Sequence, residues 1–363
     1  MSLTRYSITK PEFIQLLSYL LEKSYVSEVL SGVEKKNRYA IVPEFVSDPK
    51  KLENFPLSQL LTYGYTRTDS AANTLLHTKK ALDISVAVVA RACDIRAMVE
   101  LEKKKQLKWE NLFLIGFHDM GYLPNKLLRK WFKKEKIDDS AILSEKLTET
   151  EFILHMKDGS LKKEKLSDSF NVAGNCTRCV EKSHSLADFL LSTYSVSEDA
   201  ENYILTPQSD RARNVIKNLG WDSKAIDAAL GEKYENIAQN IIDRCAAKRE
   251  KDLDAFLADE DRFMLLTKCT GCGICVKSCA VCYCTVCNLT AQVKAKTMDP
   301  VMFITTRFTH VGDTCVECGR CATNCPMNIP LDLVFQSLRR KFQKDRGYAA
   351  GATRNQKVLH LDV

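Results

Sequence analysis

The chain of 363 residues has no apolar run long enough to cross a bilayer: VAVVA and LFLIGF fall far short of the ~18 residues a spanning helix needs. Its opening, MSLTRYSITKPEF, lacks the apolar core of an export signal, so the expectation is a soluble, cytoplasmic protein with no transmembrane segment. Glycine is scarce. Only eight occur before residue 260 and none forms a G-x-G, so the usual backbone cradle for a dinucleotide pyrophosphate is missing. Apart from two cysteine runs there is no repeat with a period of roughly 20 to 50 residues. Disorder is excluded by an apolar content of 45%, enough to fill the cores of two domains. The net charge of +7 is mild, and the basic clusters EKKKQLK (from Glu102) and KLLRKWFKKEK (from Lys126) read as solvated helix faces. Nucleic acid is therefore not an expected partner.

What the chain has in excess is cysteine. Fifteen are present, four before residue 260 and eleven between Cys269 and Cys325. Without an export signal they cannot be read as a disulfide scaffold, and metal ligation is the usual alternative. Cys269, Cys272, Cys275 and Cys279 follow C-x2-C-x2-C-x3-C, and Cys315, Cys318, Cys321 and Cys325 repeat it with Pro326 behind. This is the bacterial ferredoxin spacing, in which three cysteines of one run and the last of the other hold each [4Fe-4S] cluster. It assigns Cys269, Cys272, Cys275 and Cys325 to one cluster, and Cys315, Cys318, Cys321 and Cys279 to the other. Zinc sites with four cysteines usually show two separated C-x2-C knuckles instead. Such clusters move single electrons and make no bonds to substrate.

Ahead of the runs, PEFIQLLSYLLEKSYVSEVL has the three-and-four spacing of an amphipathic helix begun by Pro11, and RYAIVPEFV is β-rich. ISVAVVARAC reads as a buried strand ending near Cys93, Asp94 can cap the helix DIRAMVELEKKKQL, and NLFLIGFHDMG reads as a second buried strand. A βαβ unit makes these strands parallel, so Cys93 and the pair His118, Asp119 sit at neighbouring tips, ~5 Å apart if the strands pair directly and ~10 Å if one intervenes. From about Pro207 the pattern turns helical, through SDRARNVIKNLG, SKAIDAALG and a long charged run containing Cys245, which reads as an ordinary buried thiol. The fold class is an α/β domain with parallel strands followed by a small α+β dicluster ferredoxin domain. The boundaries are 1–206 for the first, 207–260 for a helical connection, 261–345 for the ferredoxin part and 346–363 for a polar tail.

Two cysteine sets remain. Cys176 and Cys179 form a C-x2-C that, with Cys93 and a donor from Asp119 or His118, makes a candidate set for a third [4Fe-4S] cluster; incidental buried thiols are the alternative. Cys282, Cys284 and Cys287 are left over beside the first run. They are either spare thiols, a source of one ligand for the Cys93 site, or a further metal site, since C-x-C-x2-C suits zinc or iron.

The stretches ARACDIRAMVELEKKKQLKWENLFLIGFHDMG, GNCTRC and CAVCYCTVC resemble the coenzyme F420 hydrogenase/dehydrogenase beta-subunit family, in its version with a C-terminal dicluster ferredoxin domain. The resemblance runs from roughly Arg38 to Lys344. It implies an α/β domain that commonly holds a [4Fe-4S] cluster and a flavin, and service as the electron-relay subunit of an anaerobic complex of formate dehydrogenase, hydrogenase or heterodisulfide reductase type. By position, Cys93, Cys176 and Cys179 match cysteines that look like ligands of the family's proximal cluster. Two departures stand out. Asp119 occupies the place of a cysteine in many relatives, and the glycine pair of flavin-binding relatives is missing from the first helical region. FAD then depends on other loops, such as TYGYTRTDSAANTLLHT from Thr62. The expected function is electron transfer between a catalytic partner and another carrier, with no acid, base or nucleophile of the chain's own. The alternative is a flavin-containing subunit exchanging hydride with coenzyme F420 or a nicotinamide.

Overall fold

The computed structural model describes residues 4–66, 69–192, 194, 202–284, 286–295 and 297–361. Ten strands are present in chain order: β1 (Tyr6–Thr9), β2 (Glu28–Glu34), β3 (Ile41–Val46), β4 (Val86–Arg91), β5 (Leu112–His118), β6 (Ile142–Leu147), β7 (Glu151–Met156), β8 (Leu161–Lys165), β9 (Phe189–Ser192) and β10 (Asn202–Pro207). Seven form a mixed sheet in the order β1-β10-β9-β5-β4-β2-β3, and β6-β7-β8 form a separate antiparallel sheet. The centre, β9-β5-β4-β2, is parallel, and both edges are antiparallel. Strands β4 and β5 are buried along their whole length, as continuous β-branched runs covered by helices on both faces should be.

The βαβ unit forms as the sequence predicts, and its strands pair directly, Arg91 opposite Phe117. Its helix starts earlier than the capping signal suggests. It spans Ala92–Lys103, with Arg91 at the N-cap and no side-chain cap, because the Asp94 carboxylate is engaged by Arg320 at 3.1 Å. Cys93 therefore lies in the first helical turn. The opening helix, Lys10–Glu22, is fixed by a capping box between Thr9 and Glu12 and stops well before the end of its apolar pattern. The last part of that pattern is β2, whose pairing with β4 overrides the helical spacing. SKAIDAALG also resolves differently: Asp227 caps a single helix, Ala228–Ala258, that runs through Gly231 into the charged segment.

One face of the large sheet packs on the helices Lys10–Glu22 and Asp210–Leu219 through Phe13, Leu16, Leu17, Val215 and Ile216. On the other, Val88, Ala90, Leu114 and Met98 share a continuous core with Phe303, Ile304, Phe335 and the thiols of both cysteine runs. The ferredoxin-type part is thus built against the α/β domain, on helices and loops; among the described residues, 261–345 contains no strand. The tail turns back as well: Tyr348 and Ala350 are buried, and the Glu100 carboxylate accepts hydrogen bonds from the Tyr348 hydroxyl (2.8 Å) and the Gly351 N–H (2.7 Å). Among the described residues no helix is long and apolar enough to cross a membrane.

Candidate metal centres

The two cysteine runs fold as approximate copies of one loop. The Cys269 thiol accepts a hydrogen bond from the backbone N–H of Gly271 at 3.4 Å, and Cys315 accepts one from Glu317 at 3.4 Å. Gly271 and Glu317 both have left-handed backbones, at φ 64° and 55°, a turn that gathers N–H groups around an anion. For Glu317 that conformation is strained, and its carboxylate is anchored by Arg249 at 2.8 Å and Arg339 at 3.0 Å. After the second cysteine of each run, Gly273 or Gly319 opens a one-turn helix, Ile274–Lys277 or Arg320–Thr323.

These loops sort the thiols into two groups. Cys269, Cys272, Cys275 and Cys325 line one small void, closed by Phe303, Ile304, Ile329 and Leu331. Cys279, Cys315, Cys318 and Cys321 line another, together with Arg307, Val311 and Phe335. In both cases the thiols surround a space; among the described residues no three His, Cys, Asp or Glu side chains converge closely enough to hold a single ion. Burial pushes the Cys275 thiol up to about 11 and raises Cys315 and Cys321 too. Thiols so placed give up their protons to a group that brings positive charge, as iron does.

The candidate third set is less compact. Cys176, in the one-turn helix Gly174–Thr177, lies against Gly121, where a Cβ would come within 2.4 Å of its own. Burial pushes its thiol up to about 11, although Lys182 pulls it down. The buried Lys182 ammonium donates to the carbonyls of Met120 (2.9 Å) and Cys176 (2.7 Å), and its charge is favoured by Cys179, Cys245, Cys176 and Asp119. Cys245, from the long helix, donates its S–H to the Cys176 carbonyl at 3.7 Å. Asp119 is buried and faces Arg91 at 3.0 Å. His118 bonds Tyr234 through Nδ1 at 2.5 Å, while its buried Nε2 has no partner. Burial, with Lys182 and Arg5, takes this imidazole down to about 4, so it is neutral at pH 7. Cys93 is raised by burial and by Asp94; the other groups acting on it are Arg320, Cys318 of the second quartet, and Arg96.

Of the three leftover cysteines, Cys282 is half-buried and pushed up to about 11 by burial and Cys279, and Cys284 is exposed. At Cys287 burial is outweighed by hydrogen bonds from Thr290 and Leu289, which lower the thiol.

The Cys176 loop is also keyed into the second quartet. The Asn175 side-chain amide donates to the Cys318 carbonyl at 2.6 Å and approaches the Cys176 sulfur at 3.7 Å. Its Cγ occupies the space a Cβ on Gly319 would need, 2.1 Å away. Arg178 adds bonds to Asp332, Asp252 (3.2 Å) and Gln336 (3.0 Å), and Glu181 binds both Arg96 and Arg339.

A larger cavity, about 490 Å3, opens where the parallel strands β4 and β5 end, the usual ligand position in open α/β sheets. Its walls carry Tyr63, Tyr65, Phe117 and Tyr122, the cations Arg91, Lys126, Arg129, Lys130 and Arg320, and, from the ferredoxin part, Cys325 of the first quartet. Tyr63, Gly64 and Tyr65 belong to the loop singled out for flavin phosphates; Arg67 and Thr68 of that loop lie outside the described residues.

Residues 83–230 match the family model for the C terminus of the coenzyme F420 hydrogenase/dehydrogenase beta subunit, and residues 268–330 match that of a 4Fe-4S dicluster domain. The chain thus resembles this family over residues 83–230, ahead of a segment that resembles a 4Fe-4S dicluster domain. The F420-dependent formate dehydrogenase 1 subunit beta of Methanococcus maripaludis is 29% identical over 351 residues, 93% of this chain and 89% of that protein. The F420-dependent formate dehydrogenase subunit beta of Methanocaldococcus jannaschii is 25% identical over 357 residues, 93% and 90%. Among solved structures, a chain of the xenon-derivatised F420-reducing [NiFe] hydrogenase complex from Methanosarcina barkeri shares the fold, with a TM-score of 0.54 over 70% of this chain and 91% of that one, at 12% identity.

Sequence reasoning passed over Lys182, Asn175 and Arg307. Each is an ordinary polar residue within its own segment. Packing brings Lys182 to the carbonyl of Cys176, Asn175, the first residue of NCTRC, to the carbonyl of Cys318, and Arg307 to the carbonyl of Cys275.

Proposed function

We propose that this chain is the iron-sulfur electron-transfer subunit of an oxidoreductase complex of formate dehydrogenase type, relaying single electrons between a catalytic partner and another carrier. The observation that carries it is the sorting of eight cysteines into two voids, each walled by three thiols of one run and the last of the other. The named relatives, which match nearly the whole chain, supply the kind of complex. When bound, [4Fe-4S] clusters take up and release one electron each. The chain's part is to hold them apart from bulk water with Phe303, Ile304, Val311 and Phe335, to offer the N–H groups of Gly271 and Glu317 to ligand sulfurs, and to fix their separation through one shared core.

A flavin reading is favoured by the cavity beside Cys325. Its tyrosines suit a flat ring, Arg129, Lys126 and Lys130 suit phosphates, and FAD bound there would convert two-electron hydride chemistry into single electrons. The Arg320–Asp94 pair stands in the wall, with Arg320 Nη1 and Asp94 Oδ1 buried and unpartnered, a donor and an acceptor ready for a polar ring edge. For a third [4Fe-4S] cluster the fit is partial: Cys176 and Cys179 gather around Lys182, whereas Asp119 is paired with Arg91 and Cys93 adjoins Arg320 and Cys318.

Iron, acid-labile sulfide and flavin per chain on anaerobically purified protein test these readings together. About eight irons are expected from the two quartets and about twelve if the third set is loaded. An iron-free chain after anaerobic reconstitution would end the electron-transfer reading, and absence of released flavin from a fully iron-loaded sample would end the flavin reading.

A further inference from the structure

The helix Pro300–Val311 lies along both quartets: Phe303 and Ile304 close the first void, and Arg307 and Val311, one and two turns on, line the second. Arg307 is 4% exposed. Its Nη2 donates to the backbone carbonyl of Cys275, a residue of the first quartet, at 3.2 Å, and the side chain lines the second void beside Cys279. Its Nε is buried without a partner. The carboxylates nearby are committed elsewhere, Glu317 to Arg249 and Arg339, and Asp332 to Arg178. Among the described residues Arg307 has no carboxylate partner.

A buried cation without a carboxylate needs another anion. We propose that Arg307 is the shared potential-setting residue of the dicluster domain: a fixed guanidinium set between the two clusters, it favours the reduced form of each and links their potentials. The inference rests on the reading that both quartets hold [4Fe-4S] clusters. Each cluster gains one electron on reduction, with no bond made or broken, so its negative charge rises by one. A cation near both stabilises that gain at either site and offsets the repulsion between electrons on the two. Because guanidinium does not titrate in the working range, the bias is constant with pH.

The test is an EPR-monitored redox titration of the full chain, anaerobically purified, as wild type, Arg307→Lys and Arg307→Gln, with iron and sulfide counted in each. The expected result is that both midpoints shift to lower potential in Arg307→Gln and stay close to wild type in Arg307→Lys, with iron retained. Iron-loaded Arg307→Gln in which neither midpoint moves, or only one does, overturns the inference and leaves the cluster reading standing; wild type that binds no iron overturns both. Should Arg307→Gln fail to keep its clusters, wild type grown with 15N-guanidino arginine carries the question. Electron spin-echo modulation from 15N that disappears in Arg307→Lys is expected on both reduced clusters, and its absence from either rejects a shared role.

Discussion

Gly319 packs directly against the Cys176 loop, where the ferredoxin-type part meets the α/β domain. Its backbone is left-handed, φ 68°, and the Asn175 side chain fills the place of a β-carbon. Gly319→Ala therefore meets two obstacles, a strained conformation worth about 1–2 kcal/mol and a clash that displaces the Asn175 bond to Cys318. We expect it to lower the unfolding midpoint, with the second quartet losing iron before the first. Asn175→Gly in the same chain should restore part of the loss, because it removes the clash and leaves the strain; identical melting curves for Gly319→Ala and wild type would refute this. The grouping of the cysteines around two voids was legible because one loop carries three of the thiols of each group, so the pattern is written in nearly consecutive residues. The Asn175 contact was not, since it joins positions far apart in the chain and uses an amide that could equally have faced water. Asp119 shows the opposite case. The sequence marks it as the odd residue in a cysteine position, and only the structure supplies its partner, Arg91.

At the scale of elements, β4, its helix and β5 were readable because β-branched continuity and helical spacing agree with the tertiary outcome. Strand β2 was not: its residues continue the apolar spacing of the preceding helix, and only pairing beside β4 decides otherwise. The small sheet escaped because β8, LKKEK, is almost entirely solvated and has no apolar alternation to detect. The polar tail was likewise silent, yet it covers Arg96 and Glu100 with Tyr348, Ala350 and Gly351. Truncation after Arg346 would leave the fully buried Glu100 with Lys103 alone and should cost on the order of 3 kcal/mol. Urea unfolding of the truncated and full chains measures this, and equal midpoints would show that the tail contributes nothing.

Across the whole molecule, the α/β and ferredoxin-type parts are fastened by buried charge as well as by apolar surface, with Glu181 held by Arg96 on one side and Arg339 on the other. Against burial, these two arginines hold the Glu181 carboxyl down to about 2, from an ordinary 4.5. A depressed acid stabilises the fold above its unfolded value and loses that contribution as pH falls toward the folded one. The stability gap between wild type and Glu181→Gln should therefore be complete above pH 4.5 and close progressively toward pH 2. Denaturant titrations of both proteins at several pH values give the gap directly, and one that does not change over that interval would contradict the assignment.

The paired loops, alike in backbone, differ in surroundings: Cys272 of the first quartet is exposed, whereas no cysteine of the second is. On the electron-relay reading proposed above, dissolved oxygen reaches the first quartet before the second. Under brief aeration the first cluster should bleach while the second persists behind the α/β domain, and the order in which their EPR signals vanish would read out which end of the relay faces the outside.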